Sequence, residues 1–332
     1  MVHGRNSDEA VGEADATVNG MALGEGPVET ILIAGPTAGG KSGLALALAE
    51  RLGAEIINAD SMQVYSELPL LTARPGPADL ARAPHVLYGT LSAADPCSAA
   101  RWAGMARAAI AEAHGRGRRA ILVGGTGLYF RALTEGLADI PDVPEEIRAE
   151  ATALHARLGG EGFRRELSRR DPDIAARLAP GDTQRLIRAF EVALATGRPL
   201  SDWQRAGNSG ALDLPWRGLV LSPPLEVLRA RFLPRLEAMV AAGARDEVRA
   251  FLDLGLDPAL PAMKAVGLPP LARHLRGEIG LGPALAAAEI DTRRYAKRQL
   301  TWARKHMADW LWLDGAQQME SLLPEIFHFI HL

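Results

Sequence analysis

An α/β fold, in which a largely parallel sheet core is interrupted by a helical insertion, is what the 332-residue sequence predicts, and three observations carry it. Short apolar runs alternate with helix-forming stretches. A glycine-rich turn joins the first run to the first helix. The segment 141–205 then breaks the alternation with charged, helix-rich sequence.

Residues 1–27 read as a mildly acidic, disordered tail, because they lack the apolar centre of a signal peptide. No apolar run along the chain approaches the roughly 20 residues needed to cross a bilayer, so no membrane partner and a cytoplasmic location are expected. The lone cysteine, Cys97, excludes an internal disulfide framework and a cysteine-built zinc site, and fits a reducing compartment. At a net charge of −3 the composition does not by itself announce a nucleic-acid binder, so any basic surface has to be local. Only four of the 37 basic residues are lysines, and the place where arginines cluster therefore matters more than their number.

The core opens at residue 28 and its first part runs to residue 140. Glu29 to Ala34 is a short apolar strand, Leu44 to Leu52 a helix, and Glu55 to Ala59 and Ala120 to Val123 are further buried strands, with a helix from Ser98 to His114 between them. The insertion spans 141–205 and is broken at Gly159-Gly160, Pro172, Pro180-Gly181 and Gly197-Arg198-Pro199. A second part of the core, 206–315, contains the strand Leu219 to Leu221, a helical stretch opened by Pro223 and Pro224, and a basic helix from Asp291 to His306. Arg293, Lys297 and Arg304 fall near one face of that helix at helical spacing, which suits a phosphate backbone. Residues 316–332 are expected to form a C-terminal tail.

Between the first strand and the first helix lies Gly35-Pro36-Thr37-Ala38-Gly39-Gly40-Lys41-Ser42, a match to the G-x-x-x-x-G-K-[ST] phosphate loop in the strand-to-helix context that gives the motif meaning. Glycines let the backbone curl so that N–H groups and the positive end of the helix point at phosphate oxygens. Lys41 adds a point charge and Ser42 a hydroxyl for Mg²⁺. A P-loop NTPase-like core and a diphosphate or triphosphate ligand follow. Nucleotide hydrolases with this loop usually carry a later strand ending in an acid that helps hold Mg²⁺. Here that strand ends Val123-Gly124-Gly125-Thr126, and the acid stands instead at Asp60, after the second strand. Motor and switch functions lose ground accordingly.

Several blocks together resemble the tRNA dimethylallyltransferase family. These are Gly35-Pro36-Thr37-Ala38, Asn58-Ala59-Asp60-Ser61-Met62-Gln63-Val64-Tyr65, Ala83-Pro84-His85 and Val123-Gly124-Gly125-Thr126-Gly127-Leu128-Tyr129. Asp182-Thr183-Gln184-Arg185-Leu186-Ile187-Arg188-Ala189-Phe190-Glu191-Val192 and Lys297-Arg298-Gln299-Leu300-Thr301-Trp302 complete the set, and the blocks keep the family's order from about residue 29 to 313. Two departures stand out. The family's Lys/Arg-Ala-Val-Gly-Tyr is Lys264-Ala265-Val266-Gly267-Leu268 here, and the run Ser66 to Pro75 lacks the common Asp-Ile-Gly-Thr-Ala-Lys.

The resemblance implies a loop that holds the diphosphate of dimethylallyl diphosphate, with Thr37 and Arg235 at the donor's bridging oxygen and Asp60 as general base toward an adenine amine. It implies tRNA contacts from Asp60, Ser61, Met62, Gln63 and Thr126, and from Arg148, Gln184, Arg185, Leu186, Ile187 and Arg188 of the insertion, which would grip the anticodon stem-loop. It further implies Mg²⁺ as cofactor, bound at Ser42, and a monomer. Tyr295 and Trp302 are candidate stacking platforms, although two aromatics on an amphipathic helix are more often core. Three rivals stay open: a transferase that prenylates free adenine nucleotides, an ATP-dependent small-molecule kinase, and an RNA-binding protein with a relic loop, the last at odds with the intact Lys41-Ser42. The first would need neither the insertion nor a basic terminal helix.

Overall fold

In the computed structural model residues 30–331 are described, so the expected tail at 1–27 lies outside them. Strand β1 (Thr30–Ala34), helix α1 (Lys41–Leu52), strand β2 (Glu55–Asn58), helix α2 (Pro77–Leu80), strand β3 (His85–Val86), helix α3 (Ala99–Gly115), strand β4 (Ala120–Val123) and helix α4 (Gly127–Thr134) come first. The insertion supplies α5 (Glu145–Ser168), α6 (Pro172–Arg177), α7 (Thr183–Thr196) and α8 (Leu200–Arg205). Strand β5 (Trp216–Leu221), helices α9 (Leu225–Ala241), α10 (Ala244–Asp253), α11 (Leu268–Leu275) and α12 (Leu281–His306), strand β6 (Leu311–Leu313) and helix α13 (Met319–His331) complete the chain.

All pairings in the six-stranded sheet are parallel, in the order β3-β2-β4-β1-β5-β6. Every residue of β1, β2 and β4 is buried, as expected where helices cover both faces of a parallel sheet. On one face Leu32, Ile57 and Leu122 pack with Trp102 of α3 and Phe130 of α4; on the other Ile31, Ile33 and Ile121 pack with Leu44 and Leu48 of α1. Parallel strands all end at the same edge, so the turns after β1, β2, β4 and β5 gather there. That edge, where the strand order reverses on either side of β1, is where ligands of open α/β sheets bind.

Two short edge strands, β3 and β6, escape a sequence reading because two or three residues carry no periodicity. The expected tail at 316–332 is corrected: Met319–His331 is helical, and Leu322, Leu323, Ile326 and Ile330 are buried beside α1. Their spacing marks one helical face, which Pro324, inside the helix, disguises.

The insertion has a core of its own, built from Phe163, Leu167, Leu186 and Phe190 among others. Helix α5 breaks at Gly159, whose φ of 64° lies in the left-handed region open to glycine. Asp171, fully buried, accepts from the Ile174 N–H to cap α6 and from the Ser201 N–H to anchor α8.

Candidate active site

The loop between β1 and α1 curls as its sequence demands. Ala38 and Gly40 both have positive φ, 60° and 92°, and such alternation turns successive N–H groups inward into an anion-binding nest. Lys41 folds back to donate to the Pro36 carbonyl at 2.7 Å, and the Gly39 N–H donates to the same oxygen at 3.1 Å. Arg231 of α9 reaches the loop from the other side, its guanidinium donating to the Ala38 carbonyl at 3.2 Å.

Facing the loop is the turn after β2. Asn58, fully buried, accepts from the Asp60 N–H at 2.8 Å and donates to the Asp60 carbonyl and to the Leu87 carbonyl at 3.0 Å each. Asp60 in turn accepts from the Met62 N–H at 2.9 Å, which fixes its carboxylate at the mouth of the turn. The turn after β4 closes from the side: Thr126 Oγ1 accepts from the Ser61 N–H at 2.9 Å and donates to the Ser61 hydroxyl at 3.2 Å. Gly124 permits this approach, since a Cβ there would meet the Ala59 carbonyl oxygen at 2.0 Å.

Two cavities result. One, of about 150 Å³, is lined by the loop from Thr37 to Gly43 with Asp60, Gln63, Thr72, Tyr88 and Arg235. The other, of about 180 Å³ and more apolar, is lined by Ser61, Met62, Leu71, Phe232, Leu236, Met239, Val266 and Tyr295, with Lys264 and Arg298 at its polar side. Thr37, Asp60, Thr72 and Arg235 belong to both and form their junction.

Electrostatics concentrate at that junction. Burial pulls Lys41 down to about 8, an effect that the negative charge of Asp60 opposes and the positive charge of Arg235 reinforces. Burial also lowers Arg235, again against the pull of Asp60. Among the described residues the Arg235 guanidinium makes no hydrogen bond, so its donors are left for a ligand. Desolvated cations of this kind bind an anion strongly, because the anion restores the solvation that burial removed. The Tyr295 hydroxyl is pushed up, chiefly by burial and further by Asp60.

No group of three or more His, Cys, Asp or Glu side chains converges to hold a metal among the described residues. Ser42 lines the first cavity with Asp60 as the nearby carboxylate. Such a sparse donor set fits Mg²⁺, which keeps several waters and takes its other ligands from substrate phosphates.

A third recess lies between the insertion and α12, lined by Arg185, Arg294, Lys297, Arg298, Trp302 and Lys305. This corrects the expected basic face. Arg294, Lys297, Arg298 and Lys305 flank the recess, whereas Arg304 lines a separate one beside Trp312 and Asp314. Arg148 and Arg188 do not join them directly: both turn to Glu191, which is 4% exposed and accepts from Arg188 at 2.8 Å, with Arg148 at 3.8 Å. Gln184 and Arg185 are exposed, but Leu186 is fully buried in the insertion core and Ile187 packs against it. Leu186 is therefore a support for the exposed pair.

Of the two sequence departures, the run Ser66 to Pro75 reaches the cavity wall through Leu71 and Thr72, whereas Leu268 does not line it. Leu268 is buried in an apolar cluster with Leu68 and Leu71. The divergent run is held by Glu247, whose carboxylate accepts from the Leu70 and Leu71 N–H groups at 2.7 and 2.8 Å, and by Gln63, whose amide donates to the Thr72 and Ala73 carbonyls. Gln63 is thus turned toward this wall. Sequence reasoning misses Phe232, Met239 and Tyr88, which read as ordinary core residues, and the bracing role of Asn58, for which the only signal is a polar residue at the end of an apolar strand.

Comparison with known proteins identifies the chain's relatives. A family model described as IPP transferase matches residues 63–306, and one described as isopentenyl transferase matches residues 28–92. A tRNA dimethylallyltransferase of Phenylobacterium zucineum (strain HLK1) is 58% identical over 279 residues, covering 84% of this chain and 90% of that protein. Another, of Rhodospirillum centenum (strain ATCC 51521 / SW), is 56% identical over 279 residues, 84% of this chain and 89% of its own. The crystal structure of a full-length tRNA isopentenylpyrophosphate transferase from Bacillus halodurans superposes with a TM-score of 0.65 at 32% identity, covering 92% of this chain and 96% of that one. A eukaryotic dimethylallyltransferase captured acting on tRNA gives a TM-score of 0.74 at 26% identity, over 86% of this chain and 74% of that one. With identity above one half across most of both chains, and a matching family model over residues 63–306, this chain belongs to the tRNA dimethylallyltransferase family.

Proposed function

We propose that this protein transfers the dimethylallyl group of dimethylallyl diphosphate to the exocyclic N6 amine of an adenosine in the anticodon loop of tRNA, releasing diphosphate. The observation that carries the reading is the junction of the two cavities, where Asp60 and the desolvated Arg235 meet between an apolar chamber and a polar, phosphate-sized one that holds the desolvated Lys41.

The chemistry follows from that division. The donor's diphosphate occupies the loop chamber, and Thr37 and Arg235 stand where its bridging oxygen meets the allylic carbon. As the carbon–oxygen bond breaks, its electron pair moves to the diphosphate; loop N–H groups, Lys41 and Arg235 stabilise that charge more in the transition state than in the ground state. The Ser42 hydroxyl would hold Mg²⁺, and the ion would supply further neutralisation of the leaving group. Phe232, Leu236 and Met239 offer an apolar wall for the five-carbon chain and keep water from the electropositive carbon.

Adenine's N6 lone pair is delocalised into the ring, so the amine needs help to attack. Asp60 accepts a hydrogen bond from it and takes its proton as the N–C bond forms. Reaching this point requires the adenosine to leave its stack, and Ser61, Met62, Tyr295 and the Thr126 turn line its path. Arg185 and the cations of α12 border the recess outside and hold the phosphate backbone of the anticodon stem-loop. No described helix is long and apolar enough to cross a membrane. The enzyme acts as a monomer in the cytoplasm, where its RNA substrate resides.

Labelled dimethylallyl diphosphate offered with either tRNA or AMP tests the reading. Label is expected in tRNA, on the adenosine next to the anticodon; label in AMP alone would overturn the choice of acceptor.

A further inference from the structure

Helix α12 carries two buried polar side chains, Thr292 and Gln299. Thr292 is satisfied within the helix, donating to the Ala288 carbonyl at 2.7 Å. Gln299, 8% exposed, instead reaches across to two turns at the edge of the sheet. Its Oε1 accepts from the Thr37 N–H at 2.8 Å, and its Nε2 donates to the Gly125 carbonyl at 3.0 Å. A single amide therefore bridges the loop after β1 and the turn after β4 from a helix 262 residues away in sequence.

The contact has a built fit. A Cβ at Gly125 would meet Gln299 Nε2 at 1.9 Å, so glycine at that position is what admits the amide. The bond also consumes the Thr37 N–H, which is then no donor to phosphate, and it fixes the plane of the Pro36–Thr37 peptide. That plane determines where the Thr37 side chain stands at the junction of the cavities and how the chain enters Ala38 at positive φ. On the same helix the adjoining Lys297 and Arg298 border the basic recess.

We propose that Gln299 is a positioning residue for the prenyl donor: by clamping Thr37 and Gly125 with one amide, it holds the phosphate loop in its binding curl from the helix that also borders the RNA-facing recess. This rests on reading the loop as the diphosphate site. An apolar residue of similar shape leaves the Thr37 N–H and the Gly125 carbonyl without partners, and the loop then gains freedom to satisfy them in other conformations.

Two variants approach the clamp from opposite ends. Gln299→Met removes both bonds; Gly125→Ala leaves Gln299 intact and pushes its amide away. Calorimetric titration of the full chain with inorganic diphosphate and Mg²⁺, without RNA, is expected to show affinity reduced by about tenfold in either variant, the size of one unsatisfied buried group. In steady state the KM for dimethylallyl diphosphate should rise while the KM for tRNA stays unchanged, a split that general loosening of the fold would not produce. If either variant, folded by circular dichroism, binds diphosphate as wild type does and keeps its donor KM, the inference is overturned. Should Gln299→Met fail to fold, Gly125→Ala carries the test alone. A wild-type chain that binds no diphosphate would overturn the donor-site reading itself and this inference with it.

Discussion

Asn58 brackets Asp60 with two hydrogen bonds, accepting from its backbone N–H at 2.8 Å and donating to its carbonyl at 3.0 Å. The carboxylate that faces both cavities therefore stands on a turn whose shape is set by a fully buried side chain. Replacing Asn58 by Ala should leave these backbone groups without their partner, at a cost of about 1–3 kcal/mol in unfolding free energy. Misplacement of Asp60 should lower kcat by up to about 10²-fold. Parallel denaturation and steady-state assays check both, and full turnover in a destabilised Asn58→Ala would show that the turn does not position Asp60.

Lys41→Ala removes the buried cation of the phosphate chamber. The expected loss in kcat/KM for the donor is about 10²–10³-fold, the scale of one preorganised donor to a developing anion. Filter binding of tRNA in the absence of donor should be unaffected, since Lys41 lies inside the chamber and away from the basic recess.

Arg185 is exposed and borders the recess opposite Lys297 and Lys305. Arg185→Ala should weaken tRNA binding and make the slope of log K against log salt shallower by about 0.7–0.9, the share of a single arginine–phosphate pair. An unaltered slope would mean that the residue meets no phosphate.

At Gly127 an added Cβ would meet the Trp302 indole at 2.0 Å. Gly127→Ala should therefore overpack the interface between α4 and α12 and cost about 1–3 kcal/mol in stability, measurable by chemical denaturation.

The phosphate loop and the acidic turn are legible in the sequence because their chemistry is local: a curl needs its glycines, and the acid follows its strand directly. Strands β1, β2 and β4 are legible as continuous apolar runs, the mark of a sheet covered on both faces. What joins distant segments is not. Neither the Gln299 clamp on Thr37 nor the hold of Glu247 on Leu70 and Leu71 leaves a periodic trace, since each joins groups more than 170 residues apart in sequence. The partners of the arginines are hidden for a related reason. Arg148 and Arg188 look equivalent to Arg185, and only the buried Glu191 separates them. Helix α13 is hidden by Pro324, and α12 begins ten residues before its basic part because alanines extend it.

In the proposed chemistry the loop grips the leaving diphosphate of an allylic donor while Asp60 receives an adenine amine. A rapid-quench single turnover with tRNA, dimethylallyl diphosphate and ATP, comparing wild type with Asp60→Ala, probes both halves at once. Diphosphate should appear in step with prenylated adenosine, one for one, with ATP untouched and the rate reduced about 10²–10⁴-fold in the variant. Release of the ATP γ-phosphate with no prenyl group on the RNA, or a variant as fast as wild type, would contradict it.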